Sequence, residues 1–253
     1  MPIPRRLRSF LYRSTAFLQR CIVPGLRHSQ DKYRELLLNK IVPGSRWLDV
    51  GCGHALLPTW LSDLSSQKEL VARCERAVGV DCGDDREHIV LPEKFNAPAE
   101  KLPFASGSFS IVTANMVVEH FEDPVAAFHE IFRVLGSGGI FIFHTPNARS
   151  PLVRLAGLIP YRVEKRIAAF IDGRNDDDIF PTFYRANDAR TIRNLASSVG
   201  FNVSSLEVVD TSPILSMLGP VVVLELIAIR LLRLPWFAGL RPDLLVVLDK
   251  PRG

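Results

Sequence analysis

The stretch that most restricts the fold is Trp47–His54, an apolar run that ends in an acidic residue and two glycines separated by one position. The apolar part has the length and composition of a buried strand. The glycines allow the chain to turn sharply and to approach a ligand closely, where a Cβ would collide. The sequence therefore predicts a site for a nucleotide-like ligand at the carboxyl end of a strand.

Short apolar runs alternate with helical patterns along the rest of the chain. Strands are predicted at Arg46–Val50, Ala77–Val80, Ile111–Ala114, Ile140–His144, Phe201–Val209 and Leu244–Leu248. Helices are predicted near Leu56–Ser65, Pro124–Leu135 and Asp188–Val199. Strands separated by helices indicate an α/β fold with a mostly parallel sheet. At 253 residues we expect one large α/β domain with terminal additions.

A second carboxylate is expected beside the glycine turn. The next predicted strand ends in Gly79-Val80-Asp81, so Asp81 lies at the same edge of a parallel sheet and can accept hydrogen bonds from both ribose hydroxyls. A dinucleotide-binding turn has a third glycine, and that position is Leu56 here. A pyrophosphate cradle, and with it an NAD-dependent oxidoreductase, is therefore disfavoured.

Together with five further motifs, these two turns resemble the class I S-adenosylmethionine-dependent methyltransferases, in particular the type 11 branch that includes the quinone-biosynthesis enzymes. The motifs are Ala99-Glu100-Lys101-Leu102-Pro103-Phe104, Ser108-Phe109-Ser110, Glu119-His120, Arg133-Val134-Leu135 and Gly138-Gly139. The resemblance is dense over Val42–Asn147 and weak elsewhere. It implies a Rossmann-like fold with a mostly parallel seven-stranded sheet, helices on both faces, and S-adenosylmethionine as the cofactor.

The resemblance also implies which residues hold the cofactor. It places the methionine moiety against Asp49, Gly51 and Gly53 and the ribose on Asp81. Cys52 lies between the glycines in the same turn, where a small filler is expected.

The adenine is expected near Cys82 and Ala99, and Asn115 at the edge of the cofactor after the fourth strand. The acidic residue that commonly precedes the position of Ala99 is Pro98 in this chain. This departure leaves the adenine amino group to backbone groups or to Glu100.

Two histidines are candidates for the base that a hydroxyl acceptor would require, because the ordinary pKa of histidine, about 6.5, lies near neutral pH. His120 follows the fourth predicted strand and His144 ends the fifth, so both belong to the carboxyl edge of the sheet. His120 is the first choice, and a structural role is the alternative for each. No metal is predicted, since the four cysteines lack ligand spacing and the acidic run 176–178 is typical of a solvated loop.

The acceptor pocket is expected from Asn147 and from a cap. The linker between Thr145 and Asn187 is too long to be structureless in a compact domain, so a cap insertion is predicted at about 148–186. Tyr184 and Arg185 near its end are candidate acceptor-binding residues. Aromatic surface with one cation suits an amphiphilic or carboxylate-bearing acceptor and equally suits ordinary packing.

Positive charge is concentrated at the N-terminus. Residues 1–40 hold nine basic and two acidic residues, a net charge of +7, whereas the whole chain carries +4. Nucleic acid is not supported as a partner, since the basic residues are not spread over one surface. Apolar residues from Leu7 to Ile22 recur at helical spacing, among them Phe17 and Cys21, with Arg13 and Arg20 on the opposite side. We therefore predict a basic amphipathic extension over 1–40 and a methyltransferase domain over 41–253.

Three roles remain open for this extension: packing on the domain, lying on a membrane surface, or targeting. A second helix, Val221–Leu234, is apolar on most of its circumference, with Glu225, Arg230 and Arg233 on a narrow polar arc. The protein's core or a second copy of the chain could cover it, and an anionic membrane surface is the alternative. No uncharged apolar run reaches the roughly 18 to 20 residues that a spanning helix needs.

The sequence thus predicts a cytoplasmic methyltransferase, peripheral to the membrane in one alternative, that acts on a small-molecule or lipid-like acceptor. A catalytically inactive scaffold that binds S-adenosylmethionine is the second hypothesis, and a nicotinamide-dependent oxidoreductase is the third.

Overall fold

The computed structural model of the protein describes residues 5–58, 61–83, 87–157, 181–217 and 219–253. A seven-stranded sheet forms its centre. The strands are β1 (Arg46–Val50), β2 (Arg76–Asp81), β3 (Glu93–Asn96), β4 (Phe109–Asn115), β5 (Leu135–Pro146), β6 (Asn202–Val209) and β7 (Asp243–Asp249). Their order across the sheet is β3-β2-β1-β4-β5-β7-β6.

Strands β1 to β5 are all parallel. Strand β7 is antiparallel to β5. The evidence is a main-chain hydrogen bond in which the N–H of Lys250, just after the end of β7, donates to the oxygen of Gly139, near the start of β5. The strand order reverses between β1 and β4, and in open α/β sheets ligands bind at such a switch point. The predicted α/β fold with a mostly parallel seven-stranded sheet is confirmed.

Seven α-helices accompany the strands in the described part of the chain. They are α1 (Arg5–Ile22), α2 (Ser29–Lys40), α3 (Leu64–Ala72), α4 (Pro124–Val134), α5 (Pro151–Gly157), α6 (Ala189–Val199) and α7 (Val221–Leu232). Short 3-10 helices cover Val118–His120, Ile214–Met217 and Pro235–Leu240. Aspartates begin α3, α4 and α6, where each carboxylate accepts a hydrogen bond from a main-chain N–H of the first turn.

The prediction of a helix near Leu56–Ser65 is wrong. The described residues 56–58 and 61–63 are not helical, and α3 begins only at Leu64. The carboxylate of Asp63 accepts the N–H of Ser66 at 2.7 Å, which fixes the start of the helix there.

The chain forms two compact units. The basic unit, as we call it, consists of residues 1–29, 147–181 and 208–243, and the sheet unit consists of residues 30–146, 182–207 and 244–253. Helices α1, α5 and α7 belong to the basic unit, whereas β1 to β5 belong to the sheet unit. Residues 158–180 of the predicted cap, with its acidic run, lie outside the described residues.

Within the basic unit, α1 packs against α7. Val23 joins three α7 residues in a buried cluster, and Leu18 and Ile22 of α1 pack against it. The predicted N-terminal helix is confirmed, but its predicted apolar face is only partly right. Phe17 and Cys21 are exposed, because they lie outside the stripe of α1 that contacts α7. Phe17 shares its face with Arg13 and Arg20, so the prediction that these arginines lie opposite it is wrong.

Candidate active site

The turn after β1 has a backbone that favours glycine. Gly51 and Gly53 have φ angles of +67° and +53°. A Cβ on Gly51 would lie 2.3 Å from a methyl carbon of Val117, so this position also has no room for a side chain. The N–H groups of Gly51 and Cys52 donate to the carbonyl oxygen of Val80 at 2.7 and 3.1 Å. The turn is therefore fixed to the end of β2.

The two sequence motifs meet at one hydrogen bond. The Asp81 carboxylate, at the end of β2, accepts the N–H of Gly53 at 2.9 Å. Cys52 is buried beneath the turn, where a Cβ on Gly79 would lie 2.5 Å from its Sγ. Burial raises the pKa of the Cys52 thiol, and the carboxylates of Asp49 and Asp81 raise it further. Cys52 is thus a neutral filler inside the turn, and Asp81 is held beside the turn's backbone.

Asp49 is a buried carboxylate at the switch point. Its Oδ1 accepts a hydrogen bond from the Thr113 hydroxyl at 2.5 Å, and Thr113 in turn accepts from Trp47 Nε1 at 2.7 Å. Burial raises the pKa of Asp49 to about 7; the hydrogen bond from Thr113 opposes this rise, and the charge of Asp81 adds to it. A nearby cation would stabilise the charged form, which fits the positively charged methionine part of the expected cofactor.

Three predicted adenine contacts lie beside the end of β2. The N–H of Ala97 donates to the carbonyl oxygen of Asp81 at 3.1 Å, which brings the segment containing Ala99 and Glu100 to this strand. Ala99 is buried. Partial burial raises the pKa of the Cys82 thiol, and the carboxylates of Asp81 and Glu100 raise it further. The structure therefore brings Cys82 and Glu100 close to the predicted ribose site.

Asn115 and His144 share a buried polar network at the ends of β4 and β5. Asn115 Oδ1 accepts from Gln30 Nε2 at 3.1 Å and lies 3.0 Å from His144 Nδ1. Because an amide oxygen only accepts, His144 Nδ1 carries a proton. The ring of His144 is fully buried and stacks on Tyr33 at 5.9 Å between centroids. The pKa of Tyr33 is raised well above its ordinary value, chiefly by burial.

Sequence reasoning missed Gln30, Tyr33 and Thr113. Gln30 and Tyr33 lie on α2, far along the chain from the strands that they contact, and a helical pattern carries no signal for such a contact. Met116 was also missed. It follows Asn115 with a φ of +58°, a backbone that non-glycine residues rarely adopt and that often marks functional sites.

A second buried network contains Glu119, which precedes His120. Glu119 Oε2 accepts from the Thr145 hydroxyl at 2.8 Å, and Thr145 accepts from Asn187 Nδ2 at 2.7 Å. The other carboxylate oxygen, Oε1, lies 4.0 Å from Nε2 of His120, whose side chain is only partly exposed. The main-chain oxygen of Glu119 accepts the N–H groups of Phe183 and Tyr184. Glu119 therefore holds the 182–187 segment beside His120.

The predicted acceptor residues divide between the two units. Tyr184 and Arg185 belong to the sheet unit; Arg185 donates to the main-chain oxygen of Glu122, and its guanidinium carbon lies 5.1 Å from the centroid of the Phe183 ring. Asn147 belongs to the basic unit and is buried. Its Nδ2 donates to the main-chain oxygens of residues 239 and 241, and its Oδ1 accepts the N–H of residue 149. These bonds give Asn147 a structural role in that loop.

No group of three or more His, Cys, Asp or Glu side chains in the described ranges could hold a metal ion. None of the helices described is both long and apolar enough to cross a membrane.

Residues 25–206 match the family model of the methyltransferase domain. A ubiquinone biosynthesis O-methyltransferase of Xanthomonas campestris is 32% identical over 111 residues, which cover 44% of this chain and 46% of that protein. An uncharacterized methyltransferase of Schizosaccharomyces pombe is 30% identical over 118 residues, 41% of this chain and 40% of that protein. The chain thus spans less than half the length of these relatives.

Among solved structures, the S-adenosylmethionine-dependent methyltransferase of Mesorhizobium loti has a similar fold, with a TM-score of 0.51 and 17% identity over 87% of this chain and 98% of that one. The family model covers well over half of the chain. The chain belongs to the methyltransferase domain family and has the fold of the class I S-adenosylmethionine-dependent methyltransferases.

Proposed function

We propose that the protein transfers a methyl group from S-adenosylmethionine to a small-molecule or lipid-like acceptor by in-line displacement. The observation that carries the proposal is the junction of the Gly51–Gly53 turn with Asp81, next to the buried carboxylate of Asp49. When bound, the cofactor supplies an electrophilic methyl group on a sulfonium.

The residues of the site have separate tasks in this proposal. Asp49 provides a negative charge for the cationic methionine part, and its burial strengthens that attraction. Asp81, oriented by the N–H of Gly53, accepts hydrogen bonds from the ribose hydroxyls. Cys82 and Glu100 border the adenine. Positioning of this kind accounts for much of the acceleration of a displacement reaction, because it removes the entropy cost of alignment.

His120 is proposed as the base that takes the proton from a hydroxyl acceptor. Its side chain is partly exposed, and Nε2 lies 4.0 Å from the Glu119 carboxylate. His144 was the second candidate. It is fully buried and its Nδ1–H donates to Asn115, so we assign it the role of holding the end of β4.

We propose an amphiphilic acceptor, bound near Tyr184 and Arg185. The aromatic ring of Phe183 and the guanidinium of Arg185 provide an apolar and a cationic group in one segment. The similarity to a ubiquinone biosynthesis O-methyltransferase supports a quinol-like acceptor. A location in the cytoplasm with peripheral attachment to the membrane would bring the enzyme to such a compound.

Titration calorimetry with S-adenosylhomocysteine tests the cofactor site. Asp81→Ala removes a charged hydrogen-bonding group and should weaken binding about 10- to 150-fold, from roughly 1.5 to 3 kcal/mol for such hydrogen bonds. Glu93→Ala on β3, whose carboxylate pairs with Arg76 at an exposed site, is the matched control and should bind normally. Equal affinity in the two variants would contradict the assignment.

Incubation with labelled S-adenosylmethionine and a catechol or quinol carrying a short apolar chain tests the reaction itself. Transfer of label to the hydroxyl supports the proposal. Tight cofactor binding without transfer to these or to extracted lipids would instead favour the inactive scaffold, and binding of NADH would favour the oxidoreductase.

A further inference from the structure

Helix α7 turns an apolar face outward. Val222, Leu226 and Ile229 are buried against α1, whereas Leu224 and Leu231 are 70% and 52% exposed. The exposed apolar residues of the helix recur three or four positions apart and form one stripe: Val221, Leu224, Ile227 and Leu231. A continuous stripe of exposed apolar side chains is typical of a surface that binds a partner or a membrane.

The one acidic residue of α7 faces the protein, whereas Arg230 and Arg233 lie at the surface. Glu225 is buried, and its Oε2 accepts the N–H of Leu215 at 2.8 Å. Arg230 and Arg233 donate to the main-chain oxygens of Ile22 and Pro24 at 2.7 and 2.9 Å, which ties α7 to the end of α1. No acidic side chain therefore remains on the outward stripe of α7.

The apolar surface continues past the end of the helix. Leu234, Trp236 and Phe237 are exposed, and Trp236 is 90% exposed. Indole and phenyl rings on a turn are typical of groups that lie at the boundary between lipid headgroups and acyl chains.

The unit that carries this surface is strongly basic. Residues 1–29, 147–181 and 208–243 together hold 15 basic and 8 acidic residues, a net charge of +7. The sheet unit holds 16 basic and 19 acidic residues, a net charge of −3. On α1, Arg13, Phe17 and Arg20 are exposed at spacings of four and three and share one face. This face is turned away from α7, because Leu18 and Ile22 on the other side of α1 pack against the α7 cluster.

We propose that the outward stripe of α7 and the 235–240 turn insert into the interfacial region of an anionic bilayer, which attracts the net positive charge of the basic unit. The charge of the basic unit favours lipid over a second copy of the chain as the binding partner of this surface. Two basic units would repel each other, since each has a net charge of +7, whereas an anionic lipid surface attracts the unit. The inference deepens the proposed function, because it would deliver the enzyme to a lipid-like acceptor.

Flotation of the intact protein with vesicles tests the proposal. Vesicles of phosphatidylcholine with about one-third phosphatidylglycerol should carry the protein upward at low salt, and vesicles of phosphatidylcholine alone should carry much less. Arg230→Gln, which removes the exposed cation that follows Ile227 of the stripe by three positions, should lower partitioning about fivefold, given about 1 kcal/mol for a cation near the surface. Arg190→Gln, an exposed arginine of the sheet unit, is the control and should float normally.

Leu224→Gln with Leu231→Gln should reduce partitioning at least tenfold, since two apolar side chains no longer enter the acyl boundary. Val125→Gln on α4, a residue of the sheet unit that is 50% exposed, is the matched control. Trp236 fluorescence, taken as the difference between the wild type and Trp236→Phe, should shift to the blue on anionic vesicles.

Failure to float at low salt would overturn the proposal. A dimer in sedimentation that the α7 variants dissociate, in a protein that does not float, would assign the face to a second copy instead. Binding of S-adenosylhomocysteine and transfer to a soluble acceptor do not depend on this surface. A protein that transfers methyl groups but does not float therefore contradicts only the proposed membrane surface. A protein that floats but does not transfer methyl groups contradicts only the proposed function.

Discussion

Replacing Asp49 by Asn should stabilise the protein while weakening cofactor binding. The Asp49 carboxyl is buried with an ordinary pKa of 3.8 raised to about 7. Between these two pH values the unfolded chain has lost this proton and the folded chain has kept it, so stability falls as the pH rises. At about 1.4 kcal/mol for each pH unit, the raised pKa of Asp49 lowers stability by about 2 kcal/mol at pH 5, where the folded side chain is still protonated. At pH 8, where the side chain is ionised in the folded protein too, the loss reaches about 4 kcal/mol.

An amide at this position keeps an oxygen that can accept the Thr113 hydroxyl hydrogen bond but carries no charge. Urea unfolding at pH 5 and pH 8 should therefore show Asp49→Asn more stable than the wild type at both, with the larger gain, up to about 4 kcal/mol, at pH 8. The affinity for S-adenosylhomocysteine should fall about tenfold or more, because its ammonium group loses a buried counter-charge.

A suitable control is Asp63→Asn, since Asp63 is an exposed helix cap whose pKa is lowered by the N–H of Ser66. This variant loses a carboxyl that is already ionised at pH 5, so its stability difference from the wild type should not change between pH 5 and pH 8. An Asp49→Asn variant whose difference from the wild type is also independent of pH would refute the raised pKa and the role that we derive from it.

Two further outcomes follow from the site. His120→Ala should lower turnover about 100-fold with cofactor affinity nearly intact, as measured by labelled transfer and calorimetry, and a larger loss in His144→Ala with His120→Ala active would reverse the two roles. Gly79→Ala should cost about 1 to 3 kcal/mol of stability in urea unfolding, because its Cβ would lie 2.5 Å from Cys52 Sγ. The second substitution Cys52→Ala should recover part of that loss, and additive costs in the double variant would contradict the steric argument.

The sheet and the cofactor turn could be predicted because their signals are local. The glycines of the turn and the acidic ends of β1 and β2 are adjacent in sequence to the strands that position them. The hydrogen bond between Gly53 and Asp81 follows from the parallel register, in which Val50 lies opposite Val80. Strand β3 was missed, since Glu93–Asn96 has only one apolar residue and lies at the edge of the sheet.

The buried polar networks could not be predicted, because each joins residues that are distant in sequence. Gln30 meets Asn115 across 85 positions, and Thr145 meets Asn187 across 42. A buried polar side chain is tolerated only when its partner is present, and a single sequence does not show which partner that is. The motif Glu119-His120 pointed to His120, whereas the structure shows that Glu119 is the residue that organises the segment around it.

The division of charge shows most clearly what a linear sequence conceals. Residues 1–40 have a net charge of +7, but residues 30–40 belong to the sheet unit and the arginines of 208–243 belong with α1. The polar arc of α7 is visible in the sequence, yet the direction in which it faces depends on Glu225 reaching the N–H of Leu215 and on Arg230 reaching Ile22. Glu225 is held inside the unit and Arg230 is bonded to the end of α1, so the outward stripe of α7 is apolar. A basic unit with an apolar face is suited to anionic lipid.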